Sequence, residues 1–486
     1  MEERENVLTT EEKLRKYFEG MCVKKDSSLE QFAALSIPSF IRDWFIRKYS
    51  DKEGRLNASF VSQEIRRVVP RKSDWPALLD QMMSERRQVK FIGKIEVKRD
   101  VKSGLITFEL PDLGVGHKET RVFPDVWNAC KEPFLTSNGA IWGIVTLSYG
   151  TETAGRRTAG VILLEDFKDF RPYKTDLAYY KKARAHFETT EWLNVLLGAI
   201  DYDASGFDTE EQKLALLTRL LPFCEKRLNL IELAPKGTGK SYLFSKISKR
   251  GWLASGGVMT RAKMFYDMNL KQEGLVSNYD YVALDEISTI RFGDVSEMQG
   301  AMKGYLESGV YTVGVKEGKG DAGVVLLGNI DAGDMNAERN MFSSLPEVFR
   351  DSALVDRFHG FIEGWRIPRM SEDKKICGWA LNTEYFAEIL HDLREDIAAR
   401  SIVDALISIE AGADTRDVAA VKRIAAAYVK LLFPHWSGVE DADVSAFEKY
   451  CLSPALYMRG VIKKQLGIMD SEFAGKKMPA ISVKNR

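Results

Sequence analysis

The residues best suited to chemistry lie in one octapeptide, Ala234-Pro235-Lys236-Gly237-Thr238-Gly239-Lys240-Ser241. It matches the phosphate-loop pattern G-x-x-x-x-G-K-[ST] at every fixed position except the first, where Ala234 replaces Gly. Gly237 and Gly239, on either side of Thr238, let the backbone fold into a nest of N–H groups around phosphate oxygens. Lys240 adds a point charge at the β- and γ-phosphates, and Ser241 offers a hydroxyl to Mg2+. The helix that follows turns its positive end towards the same anion. These residues predict binding of ATP with Mg2+.

A second group follows. Tyr281-Val-Ala-Leu-Asp285-Glu286 is an apolar strand that delivers two carboxylates to a sheet edge. Asp285 would hold Mg2+ through water, and Glu286 would orient and deprotonate the attacking water. Taken alone, such a pair is also a common acidic helix cap; after a phosphate loop it reads as hydrolytic machinery. Val324-Val-Leu-Leu-Gly-Asn329 ends in an amide that could hold the lytic water or the γ-phosphate, although an Asn in that place also serves a turn. Arg357, in Ala353-Leu-Val-Asp356-Arg357-Phe, is placed to reach a neighbouring subunit's γ-phosphate. The plainer reading of that segment is a surface Asp–Arg pair.

Elements that position these groups are legible around them. The apolar runs Leu228–Leu233, Tyr281–Leu284 and Val324–Leu327 alternate with helical stretches, which predicts a parallel sheet covered on both faces over 207–370. A helical lid is expected over 371–470, with Val418, Val421, Ala425, Tyr428 and Leu432 on one stripe, and a loose polar tail over 471–486. Upstream, residues 1–87 read as helical. Residues 88–175 alternate short β-type runs with Gly-rich turns and predict a small barrel of the oligonucleotide-binding kind. A polar helical connector is expected over 176–206. The fold class is thus multidomain: a helical and barrel-like N-terminal region, a parallel α/β core and a helical lid. Among the 486 residues, 45% are hydrophobic and 29% charged, which excludes a disordered or disulfide-stapled chain. Lys plus Arg equals Asp plus Glu at 70 each, so any affinity for nucleic acid must come from a local basic surface. The five cysteines are dispersed, and no apolar run reaches the ~18 residues of a membrane span. A soluble cytosolic protein is expected, with no membrane partner.

The order phosphate loop, Asp-Glu strand, Asn strand, Arg and helical lid is the AAA+ layout. Over Glu188–Phe473 the sequence resembles the Lon-related ATPases of bacterial BREX phage-defence systems, the BrxL family. The resemblance rests on Glu225–Ser241, Ser255–Gly257, Asp280–Ile287, Met302–Gly309, Leu326–Asp331 and Ala353–Trp365. It implies an AAA+ core related to Lon and, in overall plan, to MCM-type helicases. It also implies a ring, a hexamer or a double ring, that encloses or binds DNA, expected to be double-stranded, and acts with other BREX proteins. The resemblance places Lys240 and Ser241 in the phosphate loop and Asp285 and Glu286 in the metal and water-activating roles. Asn329 falls at the sensor position, Arg357 at the trans-acting finger, and Arg459 at the lid arginine that senses the γ-phosphate. Long family members continue into a Lon-type peptidase-like domain. Only a polar tail follows the lid here, so proteolysis by these residues is not expected.

Two basic stretches are candidates for DNA. One is the barrel region, with Lys90, Lys94, Lys98, Arg99 and Lys102 in one run and Arg156 and Arg157 in a Gly-flanked loop. A solvated barrel face is the commoner meaning of such a run. The other is Tyr311–Gly320, a hairpin whose Lys316 and Lys319 would project into a ring's pore, as similar hairpins do in MCM-like helicases, a plain surface hairpin being the other meaning. Both would contact phosphates, so binding should be salt-sensitive and largely independent of sequence. Two other readings stay open: an ATP-driven protein unfoldase, and a nucleotide-gated clamp with little turnover.

Overall fold

The computed structural model describes residues 8–25, 37–100, 103–136, 140–154, 157–269 and 271–484. The chain divides into two compact units. Trp44–Lys174 forms one; Pro38–Asp43, the residues from Thr175 onward and the described residues before Ser27 form the other. Helix α1 (Ser39–Tyr49) has residues in both.

The first of these units is built on β1 (Val89–Arg99), β2 (Ile106–Glu109), β3 (Thr120–Val122), helix α2 (Pro124–Thr136), β4 (Ile141–Ala154) and β5 (Arg157–Asp169). The strand order is β2-β1-β4-β5-β3, antiparallel except for the parallel β3–β5 pair. The two outer strands meet through one side chain. The buried Thr120 hydroxyl accepts from the Phe108 N–H at 2.9 Å and donates to the Phe108 carbonyl at 2.5 Å, so the sheet is nearly closed. Closure demands bending, and glycines supply it where β1 and β4 cross: Gly93 pairs with Gly143. A Cβ on Gly143 would lie 2.2 Å from the Phe167 ring. Phe91, Ile95, Val145, Leu147, Ile162, Leu164 and Phe167 fill the interior.

The second unit holds a five-stranded, wholly parallel sheet. In chain order its parts are β6 (Leu230–Ala234), helix α3 (Lys240–Lys246), β7 (Gly251–Ser255), β8 (Tyr281–Asp285) and helix α4 (Val295–Ser308). A hairpin of β9 (Val310–Val313) and β10 (Lys316–Lys319) follows, then β11 (Gly323–Asn329) and β12 (Gly360–Glu363). The spatial order is β12-β6-β11-β8-β7. Every residue of β6 and β8 is buried, as covering on both faces requires. The last strand of this sheet in chain order, β12, pairs on the opposite side of β6 from the others. That reversal of order makes the carboxyl end of β6 a crevice. Beyond the sheet, α5 (Thr415–Leu432) and α6 (Ser453–Met469) are the long helices, and Val461, Ile462 and Leu466 join the core beneath it. Among the described residues, no helix is long and apolar enough to cross a membrane.

Three segments differ from the sequence reading. Residues 1–87 are not one helical region: Cys22–Lys25 is a strand, antiparallel to Gly378–Leu381. Its partner lies far along the chain, so no local pattern announces the pairing. The stretch 176–206 is no polar connector. Its helix Thr189–Ala199 buries Trp192, Leu193, Val195, Leu196 and Leu197, and the Trp192 indole donates to the Leu431 carbonyl at 3.2 Å. Nor is 471–486 a loose tail throughout, since Ile481–Val483 pairs with Ile407–Ile409 and buries Ile481.

Candidate nucleotide site

At the carboxyl end of β6 the chain turns through two left-handed glycines, Gly237 at φ +83° and Gly239 at φ +78°. Position 239 admits only glycine on two counts: its φ, and the Tyr202 hydroxyl, which a Cβ would meet at 2.5 Å. Helix α3 begins at Lys240. The Lys240 ammonium lies 3.4 Å from the Ala234 carbonyl, 3.3 Å from the Pro235 carbonyl and 3.3 Å from Asn329 Oδ1. These neutral acceptors hold the lysine at the mouth of the loop. Burial lowers its pKa; Glu232 and Asp285 oppose that shift, whereas the Arg219 charge adds to it.

The neighbouring strands complete the site. The Ser241 hydroxyl donates to Asp285 Oδ2 at 2.5 Å, and the Glu286 N–H donates to Asp285 Oδ1 at 2.9 Å. Asp285 is buried, and Glu286 beside it is exposed. Glu286 adopts φ +48°, a left-handed conformation that a residue with a Cβ seldom takes. Backbone strain of that kind concentrates at functional positions. Here it falls immediately after Asp285, the last residue of β8, and ends the strand there. The hydroxyl of Ser241 and the carboxylate of Asp285 form a pair of hard oxygen donors. Such a pair suits Mg2+, which completes its shell with waters and substrate phosphates rather than with an all-protein cage. Among the described residues there is no larger cluster of metal-ligating side chains.

One pair beneath the loop escaped the sequence reading. Arg219 and Glu232 are both fully buried, with Arg219 Nη2 2.5 Å from Glu232 Oε1 and Nε 3.0 Å from Oε2. The same guanidinium donates to the Thr238 carbonyl at 2.6 Å and to Thr238 Oγ1 at 3.2 Å. Arg219 therefore fixes the middle of the phosphate loop from behind. The signal was present: one charge stands in each of two otherwise uncharged and largely apolar runs, Leu216–Phe223 and Leu230–Ala234, and a lone buried charge requires a partner.

The arginines sit elsewhere. Arg357 Nε lies 2.9 Å from Glu307, at the end of α4, and its Nη1 donates to the Ala353 carbonyl. Arg416 reaches the same Glu307 at 3.3 Å and Asp356 at 2.9 Å. Arg459 is buried with 1% exposure. It donates to Asp417 at 2.7 Å, to Asp356 Oδ1 at 2.6 Å, and to the carbonyls of Asp356 and Phe358 at 2.9 and 2.8 Å. All three of its nitrogens are thus engaged in a desolvated network. Arg459 ties α6 to the segment that carries Arg357, and sensing a phosphate would require breaking those bonds.

The basic residues expected at DNA divide. Lys98 is paired with Glu109 at 2.9 Å and lies 3.5 Å from Glu96. Lys94 is half-buried, and burial lowers its pKa. Lys90 and Arg99 are exposed. Lys102, Arg156 and the Arg157 side chain lie outside the described residues. The hairpin forms where it was expected, with Lys319 exposed and Val315 96% exposed at the tip. Lys316 sits over the Tyr266 ring, 5.3 Å from its centroid, and 3.9 Å from Glu273.

Comparison with known proteins gives the family. Residues 162–479 match the family described as "Lon-like protease BrxL-like, ATPase domain". Residues 16–149 match "BREX system Lon protease-like protein BrxL N-terminal". The chain is 30% identical over 459 residues to a curated Lon-like protease BrxL of Escherichia coli O9:H4 (strain HS), covering 93% of this chain and 64% of that protein. It is 29% identical over 466 residues to the Bacillus cereus (strain H3081.97) protein of the same name, covering 93% and 66%. The chain therefore spans just under two thirds of the length of these relatives.

Proposed function

Because the chain belongs to the BrxL family of BREX Lon-like proteins and carries its ATPase domain, we propose that it is an AAA+ ATPase that assembles into a ring and binds double-stranded DNA. In this reading it moves along that DNA in the bacterial cytoplasm, alongside other BREX proteins. The observation that carries the ATPase part is the convergence of Lys240, Asn329, Ser241 and Asp285 at the carboxyl ends of β6, β8 and β11.

Catalysis follows from what these groups can do. The loop amides and Lys240 hold the β- and γ-phosphates and draw their charge inward. Arg219 keeps the middle of the loop in that shape before substrate arrives. Ser241 directly and Asp285 through water would hold Mg2+, which would supply positive charge to the bound phosphates. The exposed Glu286 carboxylate takes the proton from the attacking water, and the Asn329 amide orients it. Arg357 completes the site of the next subunit once it exchanges Glu307 for that subunit's γ-phosphate.

Support for DNA comes from the barrel. Its five nearly closed strands, with β3 and β5 parallel and α2 between β3 and β4, have the plan of an oligonucleotide-binding fold. In that class the loops after the first strand and between the last two engage the ligand, and here they adjoin Arg99 and Arg157. A protein remodeller is the second reading, favoured by the apolar Val315 at the tip of the hairpin. The discriminating experiment is ATPase rate against double-stranded DNA, single-stranded DNA and unfolded protein at two salt concentrations. Stimulation by duplex DNA that fades with salt is expected. Stimulation by unfolded protein alone would establish the remodeller instead. A flat response to all three would leave a clamp that scarcely turns over.

A further inference from the structure

The phosphate-loop helix is tied to the N-terminal segment by a network of buried charges that none of the catalytic roles uses, reached through Tyr242, which is itself 37% exposed. Tyr242, the residue after Ser241, directs its hydroxyl to Asp201 Oδ2 at 2.6 Å and to the Ser39 hydroxyl at 2.9 Å. Asp201 Oδ1 in turn receives Arg42 at 2.6 Å and Lys25 at 2.8 Å. Asp43 bridges the same two cations, at 2.7 Å from Arg42 and 3.2 Å from Lys25. Two cations thus meet two carboxylates, and Lys25 and Asp43 are both wholly excluded from solvent. Lys25 also donates to the Gly198 carbonyl and to Thr383 Oγ1, each at 3.0 Å.

Two features separate this network from ordinary core packing. Asp201 holds φ +74°, a left-handed backbone that its side-chain partners must maintain. Charges this deeply buried add little net stability, so their value lies in specifying one geometry. That geometry ends on α3. The first-turn residues Lys240 and Ser241 face Asn329 and Asp285, while Tyr242 faces Asp201.

We propose that Tyr242 is a positioning residue of the ATPase site, holding the phosphate-loop helix on Asp201 and so on Lys25, Ser39 and Arg42 of the N-terminal segment. Residues sent from the start of the chain are therefore part of the support for ATP. A small displacement of α3 on nucleotide binding is felt at the first turn of α1. The inference rests on the ATP-binding reading.

The test uses the full chain, wild type and Tyr242→Phe, each with and without ATPγS and Mg2+, followed by amide hydrogen exchange and steady-state ATPase kinetics. In wild type, nucleotide slows exchange in 235–241 and also in 39–43. In Tyr242→Phe the slowing in 235–241 remains and that in 39–43 disappears. KM for ATP rises by up to about tenfold, the most that one charge-assisted hydrogen bond can contribute, and the melting temperature falls by a few degrees as that bond is lost. Persistence of the 39–43 response in Tyr242→Phe, or its absence in wild type while 235–241 responds, would overturn the proposal. Absence of any response at 235–241 would instead sink the ATP-binding reading beneath it.

Discussion

At the scale of single residues, the site separates groups that touch substrate from groups that hold those groups still. Arg219 belongs to the second kind. Removing it leaves Glu232 buried without a counter-charge, so Arg219→Ala should lower the unfolding free energy by about 3–5 kcal/mol. Arg219→Met with Glu232→Leu removes both charges and should recover most of that loss. Thr238 would still lack its donor, however, so the double variant should bind ATP more weakly than wild type. Denaturant unfolding and nucleotide titration read the two effects separately, and full recovery of both would leave the pair a purely structural one. Much at this scale was legible. Lys240, Ser241, Asp285 and Asn329 lie together because each follows an apolar strand of the same parallel sheet, and strand ends of that kind converge. Arg459 was legible only as a position. Its partners Asp356 and Asp417 come from other helices and turns, and no local spacing announces such an encounter.

At the scale of elements, strands were easier to read than their partners. The runs Leu230–Ala234 and Tyr281–Asp285 are apolar because both faces of the sheet are covered, which sequence alone reveals. The short strands Cys22–Lys25 and Ile481–Val483 were hidden, since each is too brief to show a period and pairs with a distant segment. The β9–β10 hairpin was visible from its Gly-bracketed lysines. Lys319 is free to meet a phosphate, and Lys316 must give up its seat over Tyr266 to do so. Replacing both with alanine should weaken DNA binding uniformly across sequences and reduce the slope of log affinity against log salt by about 2 per engaged subunit. An unchanged slope would remove the hairpin from the DNA path.

At the scale of the whole molecule, formal charge is balanced, so pH acts through individual buried groups. His359 is the clearest. Burial, with Arg423 and Arg459 nearby, holds its pKa well below the ordinary histidine range, while its Nδ1 accepts from the Asn229 N–H at 3.0 Å. The folded protein keeps this ring neutral, whereas the unfolded chain takes up a proton below about pH 6.5. Its contribution is therefore complete above that pH and lost as pH falls, by at most about 1.4 kcal/mol per unit. The wild type should lose stability between pH 7 and 5 more steeply than His359→Gln. Parallel curves from chemical denaturation at each pH would contradict this assignment.

The most direct test of the central claim is made on Glu286→Gln, by measuring ATP binding and single-turnover hydrolysis side by side with wild type. The substitution keeps the shape of the side chain and removes its capacity to take a proton. ATP affinity close to that of wild type, with hydrolysis reduced by about 10²–10⁴, is the predicted result. Hydrolysis at the wild-type rate would mean that the carboxylate beyond Asp285 is not the base, and that the hydrolytic centre has been placed wrongly.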